Sequence, residues 1–212
     1  RKVMAAYLER IVRRIEEAEL DLAREVEEQQ ARWHYRIHRG RVWFDSEVRA
    51  AHRQLRQGLP SYIRDSSLRN LLTAPLIYSL LLPLGLLDLW ATLYQRICFP
   101  LYGIAPVPRG RYFVFDRRHL AYLNGIEKVN CAFCSYANGL IAYVRDVAAQ
   151  TEEYWCPIKH ARAIPDPHDE YHLFFDYGDA GRYRRELTSL RRRQRHRRKH
   201  SLRARHASRD GR

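Results

Sequence analysis

The sequence predicts a mainly α-helical protein that carries a membrane-embedded segment, a small metal-bound domain and a basic C-terminal tail. Three observations support this prediction: heptad spacing near the N-terminus, an apolar block from Leu71 to Ile104, and a Cys/His motif that precedes an arginine-rich end. The block contains two charged residues, Asp88 and Arg96, and no charged side chain lies between Leu71 and Leu87. A segment of this length and composition is able to enter a bilayer.

The positive charge of the chain is concentrated at its C-terminal end. The 212 residues carry a formal net charge of +14, and residues 182–212 account for +12 of it. The first thirty residues are highly charged and lack the apolar core of a signal peptide. Four cysteines, two of them in a Cys-x-x-Cys pair, are typical of a reducing compartment. We therefore expect the protein at the cytoplasmic face of a membrane, which would be the inner membrane in a bacterium.

Residues 1–70 are expected to form amphipathic and polar helices. Apolar residues recur at alternating spacings of four and three, the a/d pattern of a heptad seam; they are Met4, Leu8, Ile11, Ile15, Ala18 and Leu22. The pattern predicts that helix 3–30 packs on a partner protein or on the chain's own core, and it favours neither. A second helix is expected from Ser46, its N-cap, to Gln57. Its basic face consists of Arg49, His52, Arg53 and Arg56.

Residues 71–104 are expected to form an apolar helical hairpin in the membrane. Pro83 and Gly85 interrupt the middle of the block. Arginines flank the block on both sides, whereas a single span retains Lys and Arg mainly on the cytoplasmic side. We therefore expect a turn at Pro83-Leu84-Gly85, so that both arms enter one leaflet from the same side. The residues assigned to the membrane are Leu71, Leu82, Pro83, Gly85 and Trp90. Two alternatives remain open: a helical hairpin buried in a soluble core, and a straight single span.

Residues 105–181 are expected to form a small domain held together by a metal. A short strand is predicted over 111–115 and an amphipathic helix over 139–153. Four potential ligands share a spacing typical of a tetrahedral zinc site: Cys131, Cys134, Cys156 and His160. An iron–sulfur cluster is the alternative, since Pro157 follows Cys156. A continuous helix between the two pairs would separate them, in which case the pairs belong to different sites. A thiol or disulfide pair and inert buried cysteines are further possibilities.

Residues 182–212 are expected to begin as a helix and to continue as an arginine-rich tail. The densest part of this segment contains Arg191, Arg192, Arg193, Arg195, Arg197 and Arg198. Such a segment binds anionic lipid head groups, an acidic protein or nucleic-acid phosphates. Membrane lipids are therefore expected partners, and nucleic acid is a possible one. Nothing in the sequence indicates a small-molecule substrate.

The combined features favour a non-catalytic accessory or structural subunit at a membrane or in a membrane protein complex. The sequence contains no Gly-rich phosphate loop, no nucleophile elbow and no defensible pair of catalytic carboxylates. Two other functions stay open: a soluble nucleic-acid-binding zinc protein, and an iron–sulfur protein that transfers electrons. No catalytic residue is assigned.

Overall fold

A computed structural model of the protein describes residues 2–38 and 41–210, with side chains described over 13–15, 17–38 and 42–199. The protein is mainly helical, as predicted. Its elements are α1 (Lys2–Arg32), β1 (Tyr35–His38), β2 (Arg41–Phe44), α2 (Ser46–Gln54), α3 (Leu59–Asp65), α4 (Leu68–Ser79), α5 (Leu81–Tyr102), α6 (Gly125–Trp155) and α7 (Ala180–Asp210). Short 3-10 helices occur at Arg109–Arg111, Asp116–His119 and Asp169–Leu173.

The chain divides into two compact units. The first comprises the residues up to Asp65 together with Asp116–Val129, and the second comprises Ser66–Phe115 together with the residues from Asn130 on. Helix α6 supplies its first residues to the first unit and the remainder to the second.

A two-stranded antiparallel sheet, which the sequence analysis did not predict, lies in the first unit. Strand β1 pairs with β2 in a register that places Tyr35 opposite Phe44. The ring of Phe44 packs against Tyr35 and His52, with centroids 5.9 and 5.4 Å apart. The ring of His52 in turn packs against the ring of Tyr122, with centroids 5.2 Å apart. This row of rings attaches α2 and the segment before α6 to the sheet.

Helices α1 and α2 are present where the sequence predicts helices. The N-cap of α2 is Asp45, one residue before the predicted Ser46, and the helix ends at Gln54 rather than Gln57. In α1, the seam positions Met4, Leu8 and Ile11 lie outside the described side chains. The seam side chains of Ile15 and Leu22 are 52% and 65% exposed. Packing of the seam on a partner protein therefore stays a prediction.

The predicted hairpin at Pro83-Leu84-Gly85 is wrong, because these residues lie inside α5. The chain keeps a helical conformation through Leu80, and the amide of Leu84 donates to the carbonyl of Leu80 at 3.1 Å. Pro83 is the third residue of α5, in the first turn, where a helix tolerates proline because the amide has no intrahelical partner to lose. Residues Leu68–Tyr102 therefore form one long helical stretch.

The core of the second unit forms where α5 packs against α6. The fully buried side chains at this contact include Phe99, Ile104, Leu140 and Tyr143. Gly139 lies in the middle of α6, where the backbone at Tyr112 approaches closely. A Cβ at this position would overlap the carbonyl oxygen of Tyr112, so glycine permits the contact.

Helix α6 is longer at both ends than the predicted helix over 139–153. Its start is fixed by a reciprocal capping box, in which the Asn124 side chain accepts from the amide of Glu127 at 3.0 Å. The Glu127 carboxylate accepts from the amide of Asn124 at 2.8 Å. The strand predicted over 111–115 is wrong: a 3-10 helix ends at Arg111, and residues 112–115 are irregular.

Helix α7 continues the predicted basic helix to Asp210, so the segment does not fade into a coil within the described residues. Two of its described side chains are fully or almost fully buried, Leu190 at 2% exposed and Gln194 at 0%. Gln194 donates to the carbonyl of Gln150 on α6 at 2.9 Å. The helix is therefore packed against α6 within the second unit.

Candidate functional site

Helix α5 has one side that packs into the second unit and one side that does not. The packed side repeats at spacings of three and four residues, and its members are Leu84, Asp88, Ala91, Gln95, Phe99 and Tyr102. Ala91 and Phe99 are buried in the core with residues of α6. The neighbouring Tyr94 hydroxyl lies 3.1 Å from the Thr151 hydroxyl of α6. These contacts fix the rotation of α5 about its own axis.

Asp88 lies on the packed side, and its carboxylate is fully engaged. Arg109 donates two parallel hydrogen bonds to it, at 2.8 and 2.7 Å. The hydroxyl of Tyr136 on α6 donates a third at 3.0 Å. The side chain of Asp88 is only 13% exposed. A bidentate pair with arginine is the geometry that best compensates a carboxylate withdrawn from water, so this charge does not need solvent.

Gln95 is the second polar residue of the packed side. Its carbonyl oxygen accepts from the amide of Val107 at 2.8 Å. Its amide group donates to the Tyr143 hydroxyl at 3.1 Å and to the carbonyl of Val107 at 3.3 Å. Gln95 therefore fastens the segment after α5 to both α5 and α6.

The opposite side of α5 is apolar and exposed. We call it the outward face, and it consists of Leu82, Leu86, Leu89, Trp90, Leu93, Ile97 and Leu101. Exposure of these side chains ranges from 44% at Leu93 to 74% at Leu101. Arg96, the single charged residue beside them, is also exposed. The helix thus turns Asp88 and Gln95 inward and most of its leucines outward, which is the reverse of a helix on a water-soluble protein.

The exposed apolar surface extends into α4. Leu72 and Leu76 are 70% and 73% exposed. In the described part of the chain, Leu68–Tyr102 is the one helical stretch long and apolar enough to cross a membrane by length and composition. Only 11% of its most apolar window is buried within the protein. A contiguous apolar surface of this kind marks contact with lipid or with another protein.

Three of the five predicted membrane residues contribute exposed Leu or Trp side chains to this surface, and the other two are Pro83 and Gly85. Leu82 and Trp90 belong to the outward face, at 72% and 71% exposed, and Leu71 on α4 is 47% exposed. Pro83 is exposed, and Gly85 is partly buried with no atom near the position of a Cβ. The last two residues are part of the helix and not of a turn.

The four predicted metal ligands are not brought together. Cys131 and Cys134 lie within α6, whereas Cys156 follows its last residue, Trp155. Twenty-five residues of continuous helix place Cys131 and Cys156 about 37 Å apart. Among the described side chains, no group of three or more His, Cys, Asp or Glu residues is placed to hold one metal ion. The residues therefore do not fit a shared zinc or iron–sulfur site, and metal binding stays a prediction that the structure does not support.

The second predicted pair lies in a different environment from the first. Cys156 is exposed and its amide still bonds to the carbonyl of Glu152 at 2.9 Å. The amide of His160 donates to the Tyr171 hydroxyl at 2.7 Å, and its ring stacks on Tyr171 with centroids 6.3 Å apart. These contacts account for the position of His160 without a metal ion.

Three of the six predicted arginines hold α7 in place through hydrogen bonds or an ion pair, and a fourth lies against the residue after α5. Arg191 donates to the carbonyl of Tyr154 at 2.9 Å. Its guanidinium carbon also lies over the Tyr154 ring, 4.8 Å from the centroid. Arg197 pairs with the carboxylate of Glu153, and Arg198 donates to the carbonyl of Pro100 at 3.0 Å. The side chain of Arg195 lies against Gly103. Arg192 and Arg193 are exposed and have no hydrogen bond or ion pair within the described residues. The cluster is therefore less available to an outside anion than its composition indicates.

Sequence reasoning missed the role of Asp88 and Gln95. The two residues are seven positions apart with Ala91 between them, a spacing that places all three on one side of a helix. Polar residues at this spacing in an otherwise apolar block are a signal that the block has a protein-facing side. The partner of Asp88, Arg109, is distant in sequence and carries no such signal.

Comparison with known proteins does not assign the chain to a family: no family model matches it, and no similar protein is found among the curated proteins or the solved structures. The physical arrangement of its own residues is therefore the basis for a functional proposal.

Proposed function

We propose that the chain is an accessory protein that attaches to a lipid bilayer through the outward face of α5 and the adjoining exposed leucines of α4. The observation that supports this proposal is the inverted arrangement of α5, with Asp88 and Gln95 bonded inside and seven apolar side chains outside. Burial of a Leu or Trp side chain is worth roughly 1.5–3 kcal/mol. The seven side chains together therefore offer on the order of 10 kcal/mol before the costs of immobilisation.

We infer that α5 lies along the bilayer surface and does not cross it. Its packed side is covered by α6, which carries Arg145, Asp146 and Glu152 among its residues. A crossing would take these charges into hydrocarbon at a cost of a few kcal/mol each. In addition, the 35 residues of Leu68–Tyr102 extend over about 52 Å, more than the ~30 Å of the hydrocarbon core. An amphipathic helix in the plane of the interface avoids both problems.

Two further features support attachment at the cytoplasmic side. All four cysteines lie in the described part of the chain and are free thiols, which suits a reducing compartment. Arg69 and Arg96 are exposed at the start of α4 and beside the outward face. Each arginine near an anionic leaflet adds about 1 kcal/mol of attraction. A metal ion is not part of this proposal, because the four predicted ligands do not meet.

Vesicle binding tests the proposal. The purified chain is mixed with vesicles of phosphatidylcholine and phosphatidylglycerol, and the bound fraction is measured by sedimentation at low and high salt. We expect binding that persists at high salt, because burial of apolar surface is not screened. The variant Leu86→Ser/Leu89→Ser should bind several-fold more weakly, since it removes two side chains from the middle of the outward face.

A matched control removes two leucines that are equally exposed but lie on α1, Leu20→Ser/Leu22→Ser. This control should bind as the unchanged protein does. Equal losses in the two variants would contradict the proposal. The proposal would also be contradicted if the protein did not bind vesicles and instead self-associated through the outward face, because that surface would then be a protein–protein contact.

A further inference from the structure

A cavity of about 600 Å³ opens in the first unit and takes its lining from three segments that are distant in sequence. Strand β2 supplies one wall, α2 and the residue after its C-cap supply the second, and the stretch from Arg118 to Lys128 supplies the third. The residues that define its chemistry are Trp43, Arg49, Arg53, Arg56, Arg118 and Lys128. All of them belong to one compact unit.

The charge of this cavity is unbalanced. Among the described residues that line it, five are Arg or Lys, and none is Asp or Glu. Within the described residues, none of the five cations forms an ion pair with a carboxylate. Elsewhere in the same unit arginines do find such partners, as Arg36 does with Asp45 and Arg64 with Asp65. Like charges gathered around one cavity repel one another and focus a positive potential on its interior.

The backbone of the unit places the cations around one cavity without a ligand. Arg49 and Arg53 are four residues apart, which aligns them along one side of α2, and Arg56 follows just after the C-cap of the helix. Arg49 is fixed further because its guanidinium donates to the carbonyl of Phe44 at 3.2 Å. The third wall is anchored through Tyr122, whose ring packs against His52 of α2. The site is therefore organised by the fold of the unit itself.

We propose that this cavity binds a ligand with two or more phosphate groups. The planar fork of arginine matches two oxygens of one phosphate, and a lysine adds a point charge. The volume is in the range of small-molecule sites, which is roughly 300–1,000 Å³. Trp43 is 55% exposed at the cavity and offers an aromatic face to a ring attached to the phosphates. The polyphosphorylated group belongs either to a free nucleotide or to a lipid head group.

The inference is independent of membrane attachment through α5, since it uses no residue of the second unit. Binding is measured by calorimetry with inorganic pyrophosphate and with ATP. It is measured separately by sedimentation with phosphatidylcholine vesicles that contain or lack a bisphosphorylated inositol lipid. The test variant is Arg53→Gln/Arg118→Gln. The control variant, Arg36→Gln/Arg64→Gln, removes the same charge from two exposed arginines of the same unit that do not line the cavity.

We expect the test variant to bind at least about tenfold more weakly than the control, because each lost fork removes charge-assisted hydrogen bonds. The variant Arg53→Lys/Arg118→Gln should recover part of the affinity that the test variant loses, because lysine keeps the positive charge but not the planar fork of arginine. Circular dichroism of each variant confirms that the helices are retained. Cavity-dependent binding of pyrophosphate or ATP identifies a free ligand. Cavity-dependent binding that appears only with the phosphorylated lipid identifies a head group.

Three outcomes would overturn the proposal. The first is that none of these probes binds to the unchanged protein. The second is equal weakening in the test and control variants, which would reduce the effect to net charge. The third is a single-stranded oligonucleotide that binds through the same arginines more tightly than ATP, because the cavity would then be part of a nucleic-acid surface.

Discussion

Glu153 on α6 is the most deeply buried carboxylate among the described residues, at 2% exposed. Its partner is Arg197 of α7, which donates to both carboxylate oxygens. Burial raises the pKa of Glu153 above its ordinary value, although the Arg197 guanidinium acts in the opposite direction. The ionised carboxylate is therefore tolerated in the folded protein only because the arginine is present.

Replacement of Arg197 with alanine should lower the free energy of unfolding by about 2 kcal/mol at neutral pH. Removal of one partner of a buried pair costs about 3–5 kcal/mol, and the lower figure reflects the 44% exposure of the Arg197 side chain. Since the pKa of Glu153 is higher in the folded state than in the unfolded state, protonation favours folding. The loss should therefore shrink as the pH falls through the folded-state pKa.

Urea denaturation at a series of pH values measures this effect. Arg192→Ala is the matched control, because Arg192 is an exposed arginine of the same helix. It should change stability by less than about 0.5 kcal/mol at every pH. A loss in Arg197→Ala that is independent of pH would show that the carboxylate is not the group responsible.

At the scale of single elements, periodicity identified helices but not their environment. The spacings in α1, the basic pattern of α2 and the start of α7 were sufficient to predict these helices, because a 3.6-residue period is a local property. The hairpin was inferred from Pro83 and Gly85, and it failed because a proline in the first turn of a helix is compatible with the helix. Strands β1 and β2 were missed: Tyr35 and Ile37 alternate with polar residues, but Trp43 lies between Val42 and Phe44, so the second strand lacks the alternating pattern.

Two of the glycines that lie inside helices, Gly139 and Gly85, should respond oppositely to alanine. The new Cβ of Gly139→Ala meets the backbone of Tyr112, which cannot rotate away, and such overpacking costs about 1–3 kcal/mol. Alanine gains about 1 kcal/mol over glycine in a helix, so the free energy of unfolding should fall by up to about 2 kcal/mol. At Gly85 no atom lies within 4 Å of the new Cβ, so Gly85→Ala should keep the propensity gain.

Thermal unfolding of both variants measures the difference. Because Gly85→Ala tests the same chemical change without the close approach, it is the control for Gly139→Ala. Stabilisation in both variants would contradict the described packing of α6 against the segment at Tyr112.

At the scale of the whole molecule, the fold brings together residues whose proximity cannot be predicted from their spacing in the sequence. The convergence of Arg118 and Lys128 with the arginines of α2 is a tertiary contact, and only the α2 part was visible in the sequence. The converse holds for the predicted metal ligands. Their spacing in the sequence is typical of a metal site, but α6 keeps Cys131 and Cys134 far from Cys156. The sequence did contain that objection, since a helix between the pairs was already predicted.

Zinc analysis should show that the chain does not bind one ion through all four of the predicted ligands. A metal chelator should leave the thermal unfolding temperature unchanged, because the core of the second unit is formed by apolar contacts between α5 and α6. The measurement combines metal content after expression with zinc and thermal unfolding with and without chelator. One zinc ion per chain that is lost equally in Cys131→Ser and Cys156→Ser would mean that α6 is broken in the zinc-bound protein.

The inverted arrangement of α5 also determines which substitutions evolution can accept there. On its leucine-rich side, any apolar side chain of similar bulk satisfies the same requirement, so sequence drift among Leu, Ile, Phe and Met is nearly free. At Asp88 and Gln95 the hydrogen-bond geometry admits almost no replacement. In an alignment of homologues, the leucine-rich side of α5 should therefore vary most among apolar residues, and Asp88 and Gln95 should vary least.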